Sequence, residues 1–556
     1  MASLRPSWRC GRALAPLTAS STPPGTRTVW PRSSRTSAKA APLRRHASSS
    51  VAGGPLVGGV PVAPAACSAP ADDAVRGYDE VPGPTPLPLL GNSWRFLPVV
   101  GNFRIQEMDR VCLGLRERYG DIVRMSGLLG RPDMVFVFDA DLIEQVFRAE
   151  DALLPVRPSM PSLDAFKHGI RKDFFGDLAG VIAVHGPRWL EFRTRVQQVM
   201  LQPRTAKLYV GAIQDTAEAF VRRLRRLRDA DGDAPADFVN EIHRWSLESI
   251  ARVALDARLG CLDDAPPADT QALIDAVNTF FMNVGVLELK PPVWKLLPTP
   301  TWRAYIRALD DITNITSGYI SRALDALRDS EQADGEVGAD ASLLQRVLAG
   351  HDARTAHILA IDLFLVGIDT TSAALASALY QLALHPEQQE RLHGEVAAVL
   401  GRDGAVTAAA LEAMPYLRAV LKEVLRMYPV VIGNGRTLTE DTVIANYRIP
   451  KGTQIIFQHY VISNEERYFP EARRFRPERW LRAELAARPP HPFASLPFGF
   501  GRRMCIGRRF AELELHTVVA KMVQKFRLEY RHPPLPYRVH PMYMPHGPLR
   551  ITFHDR

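Results

Sequence analysis

Hydrophobic residues recur at intervals of three or four positions along most of the chain beyond Tyr78, which is the spacing of amphipathic helices. Runs with the alternating pattern of strands are few and short. The pattern predicts helices over 108–119, 140–149, from 187 onward, and over 203–228, 235–258, 301–328, 352–383, 415–428 and 507–525. It predicts strands over 122–126, 134–138, 443–449 and 453–457, short strands within 530–553, a loop-rich segment at 150–185 and a polar loop at 330–340. This balance of elements indicates a mainly α fold.

The longest predicted helix, 352–383, is apolar nearly all round over Ile358–Val366, with Asp362 as the exception. A helix of this kind is buried on most sides. Gly367 and Asp369 follow in its middle, although both residue types lower helix stability. An Asp–Thr pair in a helix is more often a cap or a kink than a catalytic pair. If the chain also contains a reactive site, however, Asp369 could supply protons to it and Thr370 could supply a hydroxyl donor.

Cys505 lies in a glycine-containing loop, 498–507, directly before the helix predicted at 507–525. The amino end of a helix stabilises a thiolate through the helix dipole and free N–H groups. Glycines at Gly501 and Gly507 would let a flat, bulky group approach the loop without clashing with Cβ atoms. Two interpretations remain open from these residues alone: an axial thiolate ligand of haem, or a buried free cysteine.

The net charge of +9 comes from the amino-terminal segment. Residues 1–71 contain eight arginines and one lysine but no acid, and without these nine the chain has 60 basic against 60 acidic residues. The near-neutral remainder gives no reason to expect a nucleic-acid partner. The Arg-, Ser- and Ala-rich composition predicts a mitochondrial transit peptide over 1–47 and a flexible leader over 48–77, the alternative being a disordered basic tail. Five scattered cysteines without a CxxC pair indicate a reducing compartment.

The run Phe498-x-x-Gly501-x-Arg503-x-Cys505-x-Gly507 matches the haem-binding signature of the cytochrome P450 family. The chain resembles this family over residues 78–556. The resemblance implies a large helical haem domain with a long central helix and a small β-rich subdomain. It implies haem b (iron protoporphyrin IX) as cofactor and Cys505 as the axial ligand of the iron.

The same resemblance assigns roles to residues elsewhere in the chain. Gly367, Asp369 and Thr370 match the oxygen-activation motif, although Val366 stands where the family usually has Ala or Gly. Side chains implied to hold or shield the haem and its propionates are Trp189, Arg193, Arg436, Phe498 and Arg503, with Gly501 and Gly507 in the loop. Residues implied to form a buried structural brace are Glu423 and Arg426 of the ExxR motif, with Arg479.

An oxygenase of this family needs electrons from a partner, because the chain has no flavin or nicotinamide fingerprint. Because the predicted transit peptide directs the protein to mitochondria, the implied partner is an adrenodoxin-like ferredoxin with its reductase. Four basic residues, Arg418, Lys422, Arg508 and Arg509, would form the docking face. Arg418 and Lys422 are four apart and therefore share a helix face, although a merely solvated face has the same appearance.

The segments 432–441, 157–161 and 171–176 resemble arthropod mitochondrial members linked to ecdysteroid and cuticle biology. This likeness implies a monooxygenase for a lipophilic, steroid-like substrate; a haem-thiolate isomerase or peroxygenase and a non-catalytic haem sensor are the alternatives. The apolar segment 280–298 could touch the matrix side of the inner mitochondrial membrane, or could simply be core.

Overall fold

Helices make up most of the chain in the computed structural model, which describes residues 75–149, 154–157, 160–178, 180–182, 184–334, 342–539 and 542–556. The described α-helices are α1 (Met108–Tyr119), α2 (Ala140–Ala149), α3 (Pro161–Asp164), α4 (Lys172–Phe175), α5 (Gly186–Leu201), α6 (Pro203–Leu208), α7 (Val210–Leu227), α8 (Phe238–Ala254), α9 (Ala268–Leu289), α10 (Pro300–Asp334), α11 (Leu343–Gly350), α12 (Ala353–Leu384), α13 (Pro386–Leu400), α14 (Ala408–Glu412), α15 (Pro415–Met427), α16 (His459–Ser463), α17 (Arg482–Ala487) and α18 (Arg508–Lys525). The mainly α prediction is confirmed.

The strands are short and lie in small sheets. The described strands are β1 (Ile122–Met125), β2 (Met134–Val137), β3 (Asn434–Thr437), β4 (Thr442–Ile444), β5 (Tyr447–Ile449), β6 (Gln454–Phe457), β7 (Phe526–Glu529), β8 (Tyr537–Val539), β9 (Tyr543–Pro545) and β10 (Thr552–Asp555). A four-stranded sheet has the order β1-β2-β6-β3, in which β2 and β6 run parallel and the other pairs antiparallel. Three two-stranded sheets pair β4 with β5, β7 with β10 and β8 with β9.

Helix α12 is the element on which the larger helices pack. Asp352 caps its amino end by accepting a hydrogen bond from Thr355 N at 2.7 Å, and Pro386 starts the next helix directly after it ends. Its first half shares a hydrophobic cluster with α8, α9 and α10, and its second half shares another with α13, α15 and α18. The Gly367–Thr371 motif therefore lies where the two cores meet.

Two of the described helices are long and apolar enough to cross a membrane, α9 and α12. In α12, 83% of the most apolar stretch is buried, as expected of a core helix in a globular protein, whereas in α9 the share is 39%.

Tertiary structure changes several of the predicted boundaries. The segment 150–185 contains α3, a π-helix at Ala165–Ile170 and α4 where a loop-rich stretch was predicted. The predicted helix 203–228 is divided at Tyr209, and 443–449 is the β4–β5 hairpin. Helix α10 continues to Asp334, into the segment predicted as a polar loop. The predicted transit peptide and all but the last three residues of the predicted leader lie outside the described residues.

The charged exception in the apolar part of α12 has a partner from the π-helix. Lys167 Nζ lies 2.9 Å from Asp362 Oδ1, and both side chains are at most 2% exposed. Val181 N donates to Asp362 Oδ2 at 2.7 Å. Gly180 lies so close that a Cβ there would be 2.1 Å from the same oxygen. The pair thus fastens the 165–181 segment to the central helix.

We expect Lys167→Met to lower the free energy of unfolding by roughly 3–5 kcal/mol, because it leaves the Asp362 carboxylate buried without its cation. The double variant Lys167→Met/Asp362→Leu should recover most of this loss, since no charge then remains. Urea denaturation of the two variants and the parent protein checks this. A single variant that costs less than about 1 kcal/mol would contradict the assignment.

Candidate active site

Cys505 occupies the last part of a tight loop in front of α18. Its N–H donates to Phe498 O at 2.9 Å, and Met504 N donates to Gly501 O at 3.0 Å. Gly499 and Gly501 have φ values of 70° and 68°, which lie in the left-handed region where residues with a side chain are strained. The loop can therefore take this shape because glycine stands at both positions.

Around the thiol, burial and positive charge act in opposite directions. Burial raises the pKa of Cys505, while the Gly507 backbone N–H and the charges of Arg157, Arg193 and Arg508 lower it. The net shift is upward, so the polypeptide alone does not hold the sulfur as a thiolate. A bound metal cation would do so, because it favours the deprotonated ligand.

Arg157 and Arg193 lie beside this thiol; the Arg193 side chain is buried, whereas Arg157 is exposed. Desolvation lowers the pKa of each guanidinium to about 10, with the nearby Arg436 charge contributing at Arg157. Arg193 donates to Met504 O at 3.0 Å and Arg157 donates to Arg503 O. Neither makes an ion pair with a carboxylate among the residues that the structure describes. Cations without a carboxylate partner fit an anionic ligand.

Two further arginines of the predicted set lie next to them. The Arg503 guanidinium stacks on Trp189 with 3.5 Å between its carbon and the ring centroid, and donates to Pro155 O at 3.0 Å and Val184 O at 2.9 Å. Arg436 donates to Gly435 O at 2.9 Å. The structure thus places Arg193 beside Cys505, Trp189 against Arg503 and Arg436 near Arg157. The predicted part of these residues in holding haem stays a prediction.

Two histidines near the arginines have lowered pKa values, because burial and the arginine charges both disfavour their protonated forms. Burial, followed by the Arg503 and Arg157 charges, lowers the pKa of His185 to about 4. Burial and Arg436 lower the pKa of His459 to about 4 as well. Both imidazoles are therefore neutral near pH 7. Sequence reasoning missed these histidines and missed Arg157 as a ligand-holding residue; the only signal was that Arg157 belongs to one of the subfamily-like segments.

Between Ile358 and Ala383 of α12, three residues are half-exposed in a stretch that is otherwise buried: Val366, Gly367 and Thr370. The Thr370 hydroxyl donates to Val366 O at 2.7 Å, and the helix stays continuous through the motif. A Cβ on Gly367 would lie 3.1 Å from Ile250 Cδ1. The glycine thus permits close packing of α8, and its predicted part in the oxygen-activation motif stays a prediction.

The Asp369 side chain projects about 100° around α12 from that of Thr370, because consecutive helical residues differ by this angle. It is only 2% exposed. Neither of its carboxylate oxygens accepts a hydrogen bond from any described residue, so Thr370 does not contact it directly. The nearest cationic partner is His243 on α8, with Nε2 3.3 Å from Asp369 Oδ1.

Another buried acid stands next to the motif. Burial raises the pKa of Glu514, on α18, to about 8, and a hydrogen bond with Thr371 partly offsets this rise. Glu514 is therefore mostly a neutral acid near pH 7. No spacing in the sequence connects it with the α12 motif, because the contact forms only when α18 packs against α12.

The Glu423 carboxylate is the centre of a network in which Glu423, Arg426 and Arg479 are buried and Trp480 is half-buried. Arg426 Nε and Nη2 each donate to it at 2.9 Å, Arg479 Nε at 2.9 Å and Trp480 Nε1 at 2.8 Å. Arg426 also donates to Ser463 O at 2.6 Å. The predicted triad therefore comes together, with Trp480 as an unpredicted member. The described contacts of these side chains tie α15 to 463–480 and do not reach the Cys505 loop directly.

The four basic residues proposed as a docking face gather around the start of α18. The pKa of Lys422 is lowered by burial and by the nearby charges of Arg418 and Arg508. Arg508 and Arg509 both approach Glu512, at 2.8 and 3.8 Å. Phe498 lies under Arg508, whose guanidinium carbon is 5.5 Å from the ring centroid.

A cavity of about 540 Å³ opens between α9, the four-stranded sheet and the segment after α15. Its apolar lining includes Met108, Phe136, Phe281, Met282, Val286, Leu289, Ile432, Ile456 and Val539. Polar residues also line it: the amides Gln106, Gln454 and Gln458 and the charged Arg131, Glu288 and Lys295. Gln458 Oε1 has no hydrogen-bond partner among the described residues. The volume and chemistry suit a small lipophilic ligand.

A buried thiol on a glycine loop, with buried arginines beside it and a half-exposed helix motif, defines the class of haem-thiolate proteins, and the residues present fit haem. The family model described as Cytochrome P450 matches residues 81–553. The chain therefore belongs to the cytochrome P450 family. Membership makes it a haem-binding monooxygenase.

Two similar relatives come from Drosophila melanogaster. "Probable cytochrome P450 49a1" is 49% identical over 495 residues, covering 87% of this chain and 84% of the relative. "Probable cytochrome P450 301a1, mitochondrial" is 47% identical over 480 residues, covering 85% and 86%. "Cytochrome P450 CYP12A2" of Musca domestica is 36% identical over 506 residues, covering 87% and 92%. The predicted likeness to arthropod mitochondrial members is thereby confirmed.

We expect Glu514→Gln to become more stable relative to the parent protein as the pH rises. The folded-state pKa of Glu514, about 8, lies above the ordinary value of 4.5, so its contribution to stability is complete below about pH 4.5 and is lost as the pH rises through 8. The uncharged amide has no such loss. The gain should reach at most about 1.4 kcal/mol per pH unit between pH 5 and 8.

Urea denaturation at pH 5, 7 and 9 measures this difference. The exposed Glu440→Gln serves as the control and should show no such trend. A stability difference for Glu514→Gln that does not change with pH would mean that Glu514 is ionised in the folded protein.

Proposed function

We propose that this chain is a mitochondrial monooxygenase that inserts one atom of dioxygen into a lipophilic, steroid-like substrate with electrons from a ferredoxin. The observation that carries the proposal is the Cys505 thiol just before α18, with the cations Arg157 and Arg193 beside it and no carboxylate partner for either among the described residues. Helix α12, against which α18 packs, presents Thr370 in a half-exposed position.

Each of these residues has a distinct part. Cys505 would bind the iron through Sγ, and Arg157, Arg193, Arg436 and Arg503 would hold the two propionates as charge-assisted hydrogen-bond donors. Haem supplies the activation of dioxygen at its iron when bound. The Thr370 hydroxyl, which donates to Val366 O, can rotate away from it toward the half-exposed side of α12. Asp369 is the nearby group that can carry a proton to it.

The paired acid and alcohol favour a monooxygenase over the two alternatives. Reducing dioxygen for insertion of one atom consumes two protons, so buried proton carriers serve a purpose there. A haem-thiolate isomerase would not need Asp369 or Thr370, and neither would a haem sensor without turnover.

The 540 Å³ cavity supports the substrate class. Its lining is mostly apolar, which favours a lipophilic molecule, and amides such as Gln454 and Gln458 can bond a few polar groups of the ligand. The cavity reaches Ile432 and Gly433, at the start of the 432–441 segment that resembles arthropod mitochondrial members. A steroid-sized ligand agrees with this volume.

One exposed apolar face supports peripheral contact with the matrix side of the inner mitochondrial membrane. Its exposed side chains are Leu87, Leu89, Leu90, Leu129, Val293, Leu296 and Leu297. Close backbone approaches hold the three segments together: a Cβ on Gly91 would lie 1.7 Å from Gly127 O, and one on Gly130 would lie 2.9 Å from Pro292. A patch of this kind commonly marks a membrane or partner site. The Arg-rich amino-terminal composition and the relative named "mitochondrial" support the location.

Replacing Cys505 by Ser should abolish the thiolate-type Soret band of the reduced, carbon-monoxide-bound protein. The buried Cys261, which is distant in sequence from the Cys505 loop, provides the matched control, and Cys261→Ser should keep the band. Absorption difference spectroscopy makes the measurement. A parent protein with a histidine-type band, or a Cys505→Ser protein with an unchanged band, would overturn Cys505 as the ligand.

Reversing charge at the basic face should slow reduction by ferredoxin. We expect Lys422→Glu to lower the reduction rate about 10-fold or more at low salt, with a smaller difference at high salt, because screening weakens steering. Stopped-flow reduction with a mitochondrial ferredoxin and its reductase measures the rate. Lys451→Glu, at an exposed turn between β5 and β6, is the control; an equal effect of the two variants would remove Lys422 from the docking face.

A further inference from the structure

Asp369 is buried, yet neither of its oxygens has a hydrogen-bond partner among the described residues. An isolated carboxylate in such a place is costly, so a neighbouring group must compensate it. The only cationic nitrogen within 4 Å among the described residues is His243 Nε2, 3.3 Å from Oδ1. These two side chains are far apart in the sequence, and the family motif contains only one of them.

The position of His243 is set by close packing of α8 on α12. His243, Ser246 and Ile250 follow one another at intervals of three and four and so lie on one face of α8. Ser246 Oγ donates to Ile368 O at 3.0 Å, and Ile250 fills the space that Gly367 leaves open. The imidazole is therefore held beside Asp369 by contacts on the same helix face.

His243 also stands between Asp369 and the outside of the protein. Its side chain is 10% exposed, against 2% for Asp369. An imidazole has two nitrogens, so it can pass on a proton at one and recover it at the other. The other charged residues near it on α8 are engaged elsewhere: Glu241 pairs with Arg223 at 2.5 Å, and Arg244 lies 3.5 Å from Glu241.

We propose that His243 is a positioning residue of the oxygenation reaction that supplies protons to Asp369. The imidazole takes up a proton at Nδ1 from a hydronium ion of the solvent and becomes an imidazolium. Its Nε2–H bond then breaks as an O–H bond forms at the Asp369 carboxylate oxygen Oδ1, which leaves the neutral Nδ1–H tautomer. Loss of the Nδ1 proton to solvent and uptake of one at Nε2 restore the starting tautomer. No electron moves in this step. The inference rests on the proposed monooxygenase function, whose reaction consumes two protons together with the two electrons from ferredoxin.

The first test needs no turnover. Infrared spectra of the resting haem-loaded protein and of Asp369→Asn identify the Asp369 carboxyl band by difference, in H₂O and in D₂O. In His243→Gln this band should shift relative to the parent protein. In His385→Gln, the same replacement at a histidine that bonds Gln381 O at 2.8 Å, the band should stay in place. An unmoved band in His243→Gln would overturn the contact.

The second test follows proton delivery. With NADPH, ferredoxin and its reductase, and no added substrate, NADPH oxidation, hydrogen peroxide release and the H₂O/D₂O rate ratio are measured. We expect His243→Gln to lower NADPH oxidation about 10-fold, to raise the share of electrons lost as peroxide and to increase the isotope ratio. His243→Lys, which keeps a nitrogen that can carry a proton, should restore much of the parent behaviour, and His385→Gln should match the parent.

The outcomes separate this inference from the function on which it rests. Only variants that keep the carbon-monoxide spectrum of the parent protein are compared. If His243→Gln does not fold, His243→Met takes its place and is compared with His243→Lys. Parent-like peroxide share and isotope ratio in His243→Gln would overturn the role of His243. A parent protein that does not oxidise NADPH through ferredoxin would overturn the proposed electron route instead.

Discussion

The burial of positive charge next to a single thiol is the constraint on which the site depends. Arg157 and Arg193 are desolvated enough to lower their pKa values to about 10, and the described polypeptide offers neither of them a carboxylate. The thiol of Cys505 remains protonated by burial in spite of them. A ligand with two carboxylates and a metal centre answers both needs at once, since it neutralises the guanidinium groups and favours the thiolate. The family to which the chain belongs binds haem, which has these groups.

The fold meets this constraint by joining two hydrophobic cores along α12. One core fastens α8 and the 165–181 segment to the first half of the helix, and the other fastens α18, whose amino end follows Cys505, to the second half. The motif at the junction therefore has protein on several sides but remains half-exposed on one. Two acids lie at this junction: Asp369, within the motif, faces His243 of α8, and Glu514 of α18 contacts Thr371. The positions of proton-carrying groups thus follow from helix packing.

The network at Glu423 combines a short sequence motif with partners that only the fold brings to it. Spacing places Glu423 and Arg426 on one face of α15, but the carboxylate also receives Arg479 and Trp480 from another part of the chain. Because Glu423, Arg426 and Arg479 are buried, losing one of these three would leave charge uncompensated. Its described contacts end at 463–480, so any effect on the Cys505 loop must pass through the intervening segment.

Local patterns were sufficient to predict the mainly α class, the long buried helix, the loop and helix around Cys505 and the pairing of Glu423 with Arg426. These features depend on periodicity, on glycine conformations and on spacings of three or four residues. The predicted boundaries of helices and loops were wrong where burial overrode local preference, as in the short helices of 160–178 and at the break at Tyr209. Partners from distant segments could not be predicted: Lys167 for Asp362, His243 for Asp369 and Thr371 for Glu514. Only tertiary packing decided them, because contacts between separate helices leave no periodic trace in the chain. Packing likewise decided that Gly367 makes room for Ile250 and that Arg157 joins the arginines beside the thiol.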